Sequence, residues 1–290
     1  MSATASPSAM TDGSGFWRRF AAQRNAVIGG AVVTLVVLTA VFAPLLAPHS
    51  YSETSLLNTW APPDAVNLLG TDNLGRDILS RLIYGARISL LVSFSVLMIT
   101  LALGVVLGTV AGYFGGWVDG VIMRIVDIVL AFPEMVFAIL IAAMLGPGVL
   151  TVIVTLSLVW WPGIARLTRS LVLVLRNELF VDAAIVAGTP THVILWRHLW
   201  PNMVAPILVR ASVGVGFIVM AEATLSFLGL GVQEPIPSWG GMIRDGLTEL
   251  RSDPMLAVSG SIVLGIAIIG FNLLGDGLRD ALDPRLEGGR

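Results

Sequence analysis

The sequence predicts an all-α, polytopic membrane protein of six transmembrane helices, with a charged hairpin between the fourth and the fifth. Two observations carry that prediction. Hydrophobic residues make up 56% of the 290 and charged residues only 12%, against roughly a quarter charged in soluble domains. Apolar runs long enough to cross a bilayer also recur along the chain, separated by polar segments. A third observation concerns energy supply. All seventeen basic residues are Arg, and there is no Lys. A nucleotide-binding P-loop needs its Lys on the phosphates, so the chain has no Walker-type ATP site, and ATP-driven work needs another polypeptide. Zero Cys excludes disulfides, thiolate metal sites and Cys nucleophiles. The net charge of −2 comes with no basic patch for nucleic acid.

Residues 1–25 are rich in Ser, Ala and Gly and then basic at Arg18, Arg19 and Arg24, which reads as a cytoplasmic tail with a positive flank. Residues 26–47 form an apolar run of about 33 Å as a helix, a retained first span rather than a cleaved signal. Residues 48–87 are polar, contain Pro48, Pro62 and Pro63, and read as an extracytoplasmic loop that ends in an amphipathic helix. There Asp72, Arg76, Asp77, Arg81 and Arg87 are spaced to pair along a helix, and the favoured reading of each charge is a self-neutralising solvated face.

The second span is expected over about 88–110. Gly104, Gly108 and Gly112 recur every four residues and give one face a smooth ridge for a neighbouring helix. The third, over about 119–145, carries Asp119, Arg124, Asp127 and Glu134, with Pro133 midway. Arg124 and Asp127 are spaced to pair. Asp127 and Glu134 are candidates for a translocation pathway, with a structural ion pair as the alternative. The fourth span, about 149–165, is broken by Pro162-Gly163, and Trp160-Trp161 suit an interfacial anchor. The fifth, about 203–230, contains Glu222, with Ser226 one turn on. Both are pathway candidates, and a structural hydrogen bond between them is the alternative. A loop over 232–254 holds one short helix, the sixth span follows over about 255–274, and residues 278–290 form a second cytoplasmic tail. Arg outnumber acids in the tail at 1–25 and in the 166–202 loop, and acids outnumber Arg in the other two loops. That bias places both ends and the 166–202 loop in the cytoplasm.

Residues 179–202, LFVDAAIVAGTPTHVILWRHLWPN, are too charged for a span and read as two short helices meeting at a bend. Gly188 suits the left-handed residue that closes the first. Thr189 suits the cap of the second, Pro190 its first turn, and Pro201 is barred from its interior. Residues alone leave open a hairpin lying on the bilayer surface.

The pattern Asp182-Ala183-Ala184, then Gly188, then His198-x-x-Pro201-Asn202 resembles the EAA loop of the membrane subunits of bacterial ABC importers. Its ending is similar to the peptide and nickel branch. Asp182 stands where Glu is usual and Ile185 where a basic residue is common. The string GTDNLGRDILSRLIYGAR, with MRIVDIVLAFPE, AGYFGGWVD, EATLSFLGLG, PSWG and FNLLGDGLRDALDPRL, is similar to C-type dipeptide and oligopeptide permeases and covers about residues 68–286.

That resemblance implies the type I permease fold of an ABC importer for peptides, in the bacterial cytoplasmic membrane, with a cytoplasmic coupling helix. It implies a related B-type permease subunit, ATPase domains that are fused or separate, and an extracytoplasmic peptide-binding protein. ATP and magnesium would be held by the ATPase, so no cofactor, metal or catalytic residue is expected here. Ala183, Ala184 and Gly188 would dock closely, Asp182 would make a polar contact, and His198, Pro201 and Asn202 would set the angle of return to the membrane. An acid at Gly188 is expected to break coupling more than stability. Nickel or glutathione import is the alternative within the class. A stand-alone secondary transporter predicts an internal repeat, and none is found. An intramembrane enzyme lacks its motifs, because HExxH and GxSxG are missing and His49, His192 and His198 are not at metal spacing.

Overall fold

The computed structural model describes residues 20–251 and 253–282. The flank at Arg18 and Arg19 and the tail beyond Leu282, including DPRL, lie outside them.

The described residues are helical apart from loops and one isolated bridge between Thr71 and Asp77. In chain order the helices are α1 (Arg24–Val41), α2 (Ala43–Leu46), α3 (Ile78–Phe114), α4 (Gly116–Leu130), α5 (Glu134–Leu145) and α6 (Val149–Leu175). After them come α7 (Leu179–Val186), α8 (Thr191–Val193), α9 (Trp200–Phe227), α10 (Trp239–Leu247) and α11 (Met255–Leu282). Among the described residues, five helical stretches are long and apolar enough to cross a membrane, and a bent pair makes six if taken as one span.

That bent pair revises the third span. α4 and α5 meet at 90° instead of forming one rod. Pro133 explains the break: its ring bars the preceding residue from helical geometry and cannot donate into α4. Pro162 does the opposite of what its sequence suggests, because α6 runs through it unbroken. Lengths shift too. α3 begins ten residues before the expected span, at Ile78, where Asp77 caps it by accepting from the Ser80 amide at 2.7 Å.

The glycine ridge packs as its spacing predicts. A Cβ on Gly104 would lie 2.6 Å from Ile164 and one on Gly112 2.8 Å from Val172, so α3 and α6 approach at near-backbone contact. Where two long helices touch this closely, dispersion replaces the hydrophobic drive that lipid cannot supply. Trp161 is buried with Ala165 of α6 and Val126 of α4.

Two apolar cores share α3 and α9. Trp239 of α10 is fully buried between Ile78, Leu82, Met242, Leu256 and Phe271. Its indole N–H donates to the Leu82 carbonyl at 3.1 Å. The second core joins Val92 and Val96 to Ala138, Leu156 and Leu225. The elbow over 179–199 and the loops holding Asp72 and Glu234 lie at opposite ends of α9, whose 28 residues give about 42 Å of rise.

Candidate functional site

The hairpin between α6 and α9 is built from its turn outward. At the end of α7, Gly188 has φ +71°, a conformation glycine adopts without steric cost. The Thr189 amide donates to Ala184 O at 3.0 Å and the Gly188 amide to Ile185 O at 2.9 Å. That bond pair is the Schellman closure of a helix end. Thr189 is therefore spent on finishing α7 and does not cap α8, whose cap position is Pro190 with no side-chain bond. The second limb is not a separate helix either. α8 passes through a π turn, Ile194–Leu199, straight into α9. Pro201 thus sits inside a continuous helical run. Its ring would meet the carbonyl four residues back, and the wider π turn relieves that crowding.

The elbow has an inside and an outside. Val181, Ala184, Ile194 and Leu199 close a small core against Val172 and Met203. Ala184 is buried there and packs the elbow. Asp182, Ala183 and Gly188 face outward, beside Leu179 at 84% and Val186 at 89% exposure. Asn202 donates from Nδ2 to the His198 carbonyl at 2.7 Å, and the His198 ring lies 6.3 Å from Phe180. These contacts tie the second limb to itself and to α7. Arg176 Nη1 donates to the Tyr113 carbonyl at 3.0 Å, which pins the start of the elbow to the end of α3.

The charges of α4 pair differently from their sequence spacing. Asp127 pairs with Arg166 of α6 at 2.5 Å, not with Arg124, and Asp119 takes Arg169 through both oxygens at 2.5 Å. In both pairs an acid of α4 meets a base of α6, since these two helices pack side by side. Glu134 opens α5 and accepts from Trp160 Nε1 at 3.2 Å. Glu222 and Ser226 are fully buried. Ser89 Oγ and Ser226 Oγ each donate to the Glu222 carboxyl at 2.8 Å. Glu222 thereby joins α3 to α9, and the structural hydrogen bond between Glu222 and Ser226 is present.

Residues 104–288 match the family described as Binding-protein-dependent transport system inner membrane component, and residues 13–63 match the N-terminal TM domain of oligopeptide transport permease C. The chain belongs to this inner-membrane transport family. Among similar proteins is the dipeptide transport system permease protein DppC of Alkalihalophilus pseudofirmus, 42% identical over 90% of this chain and 86% of that protein. The oligopeptide transport system permease protein OppC of Bacillus subtilis is 40% identical over 93% and 88%. The glutathione transport system permease protein GsiD of Pectobacterium atrosepticum is 40% identical over 94% and 91%. The chain is thus a permease subunit of an ABC importer, in the inner membrane, that works with other permease and ATPase subunits.

At the end of the permease opposite the elbow, the signature charges overturn the solvated-face expectation. Asp72, Arg76, Asp77 and Arg81 are all at most 4% exposed. Asp72 Oδ2 lies 2.7 Å from Arg76 Nε and 3.2 Å from Arg81 Nε, while Arg76 Nη2 reaches Glu234 at 2.6 Å. Asp72 and Arg76 do sit four apart, but in a loop before α3; Arg81 turns back to Asp72, and Arg87 stays exposed. Burial pushes the Glu234 carboxyl up, but the Arg76 hydrogen bond and the charges of Arg76, Arg81 and Arg244 outweigh it, so it sits below the usual range. Burial alone would lower the Arg76 guanidinium; Glu234 and Asp72 hold it above its usual value.

Sequence reading passes over one residue of the permease that the structure brings forward. Arg210 lies within the apolar run of α9, and such a charge is itself the signal. With Glu134, Trp160 and Thr100 it lines a cavity of about 250 Å³ between α3, α5, α6 and α9.

Proposed function

We propose that this permease is the C-type half of a peptide importer, with both chain ends and the elbow on the cytoplasmic side. The outward face of the elbow docks in a groove of an ATPase subunit. A related B-type permease completes the pathway, and a peptide-binding protein delivers substrate from outside. ATP and magnesium are held by the ATPase, fused or separate. The observation that carries the reading is the closed elbow itself, a stiff two-limbed lever continuous with α9. Its own core is filled, while Leu179, Val186 and Trp196 are left open to a partner. Such an element transmits a rigid-body shift without melting. The dipeptide and oligopeptide permeases among the relatives support the substrate class.

The structure changes the choice of test residue. At φ +71° any side chain at Gly188 strains the turn, although nothing lies within 4 Å of a Cβ there, at a cost of about 1–2 kcal/mol. Ala183 is exposed and helical, so Ala183→Asp perturbs docking without that strain. We expect a strain lacking the gene to lose uptake of a labelled oligopeptide, wild type to restore it, and Ala183→Asp to fail at equal membrane level. Normal uptake by Ala183→Asp would remove the docking role. Unchanged peptide uptake on deletion would remove the substrate class and favour glutathione, which several relatives at 40% identity carry in their names.

A further inference from the structure

The cavity between α3, α5, α6 and α9 carries two charges of opposite sign on a mostly apolar wall. Glu134 stands at the first position of α5, just after the 90° bend from α4, and Arg210 stands on α9; both side chains are exposed and line the cavity. Two acids of α4 are matched within the chain, Asp119 by Arg169 and Asp127 by Arg166, whereas the two charges of this cavity are not. The Glu134 carboxylate accepts only from the Trp160 indole, and Arg210 has neither ion pair nor hydrogen bond among the described residues.

A charge at membrane depth that served packing alone would be neutralised locally, as Asp119 is. Two unneutralised charges of opposite sign on one cavity wall fit a ligand that brings a charge to each. A bare cation would be attracted by Glu134 but repelled by Arg210, and a simple anion the reverse. A short organic zwitterion meets both. Desolvating its carboxylate and its ammonium together is costly unless each finds a counter-charge. A guanidinium offers a fork that matches a carboxylate with two parallel bonds.

We propose that Arg210 and Glu134 form a two-ended subsite for a zwitterionic peptide, the Arg210 guanidinium taking its terminal carboxylate and Glu134 its α-ammonium. This assignment rests on the peptide-importer reading. It predicts that selection for free peptide ends is exerted within the membrane, after the binding protein has released its cargo.

The test uses the complete transporter in proteoliposomes, with its binding protein. The substrates are tripeptides that differ at one end only, free acid against amide and free amine against N-acetyl. Only pairs that the binding protein retains equally are compared. We expect Arg210→Gln to lower uptake of the free acid about tenfold while the amide changes less than about twofold, with Arg210→Lys intermediate. Glu134→Gln should act in the same way on the free amine and leave the N-acetyl peptide alone. An equal fall for both members of a pair would assign these residues to structure and overturn the proposal, as would no fall at all. If the wild-type complex takes up no peptide, the importer reading fails first and the subsite fails with it.

Discussion

Arg76 and Glu234, 158 positions apart in the chain, meet through a 2.6 Å hydrogen bond. The same guanidinium holds Asp72 at 2.7 Å, so the loop before α3 and the loop after α9 are joined through one buried side chain. Two acids, Asp72 and Glu234, face two bases, Arg76 and Arg81. The cluster is neutral only when all four are present. Removing Asp72, which is 1% exposed, would leave two guanidinium groups without a buried partner.

We therefore expect Asp72→Ala to destabilise the loop assembly by about 3–5 kcal/mol. Glu234→Gln should cost no more than about 1 kcal/mol, because its side chain is 41% exposed and screened. Thermal unfolding of the purified protein in detergent, followed by near-UV circular dichroism of its aromatic side chains, measures both. Equal losses for the two variants would contradict the buried-cluster account.

The same cluster sets a pH dependence. The folded state holds the Glu234 carboxyl below its usual range. A depressed carboxylate contributes stability that is present above the unfolded value of about 4.3 and is lost as pH falls through the lower folded value. Arg76, raised from an already high value, loses its contribution only at extreme alkaline pH. Melting temperature should thus stay level from neutral pH down to about 5 and fall below about 4, and Glu234→Gln should flatten part of that fall. A decline that begins near pH 6 would point to another group.

The seam between α3 and α6 separates one kind of glycine from another. Gly108 lies against Ala165 and Thr168, so Gly108→Val should overpack the seam and cost about 1–3 kcal/mol. Gly120 in α4 has nothing within 4 Å of a Cβ, and Gly120→Ala should be neutral or stabilise by up to about 1 kcal/mol. Membrane yield and heat resistance of the two variants should move in opposite directions.

Glu222 offers a test of structural against transport roles. Glu222→Ala leaves the hydroxyls of Ser89 and Ser226 without their shared acceptor, at about 1–3 kcal/mol. Glu222→Gln keeps an acceptor and should cost less. Peptide uptake per folded molecule should be unchanged in both. A loss of uptake with heat resistance intact would place Glu222 in the pathway.

Much of the molecule was legible from residues alone. The apolar runs gave the spans, Gly188 gave the bend of the elbow, and Gly104, Gly108 and Gly112 gave a close helix seam. These are local properties, because an apolar stretch, a positive φ and a four-residue repeat each act through neighbours on the same helix. The lack of Lys decided on the same terms that no P-loop is present. Partner choice was decided elsewhere. Asp127 is three residues from Arg124 yet binds Arg166 of α6, and Asp77 is four from Arg81 yet caps its own helix while Arg81 turns back to Asp72. Glu134 and Arg210 share a cavity only because the bend at Pro133 brings α5 across to α9. Spacing along one helix weighs only pairs a turn apart, whereas burial between helices rewards whichever opposite charge the packing brings closest. Which charges ended up paired, buried or free was therefore settled by tertiary structure, through the cost of leaving a charge unmatched away from water.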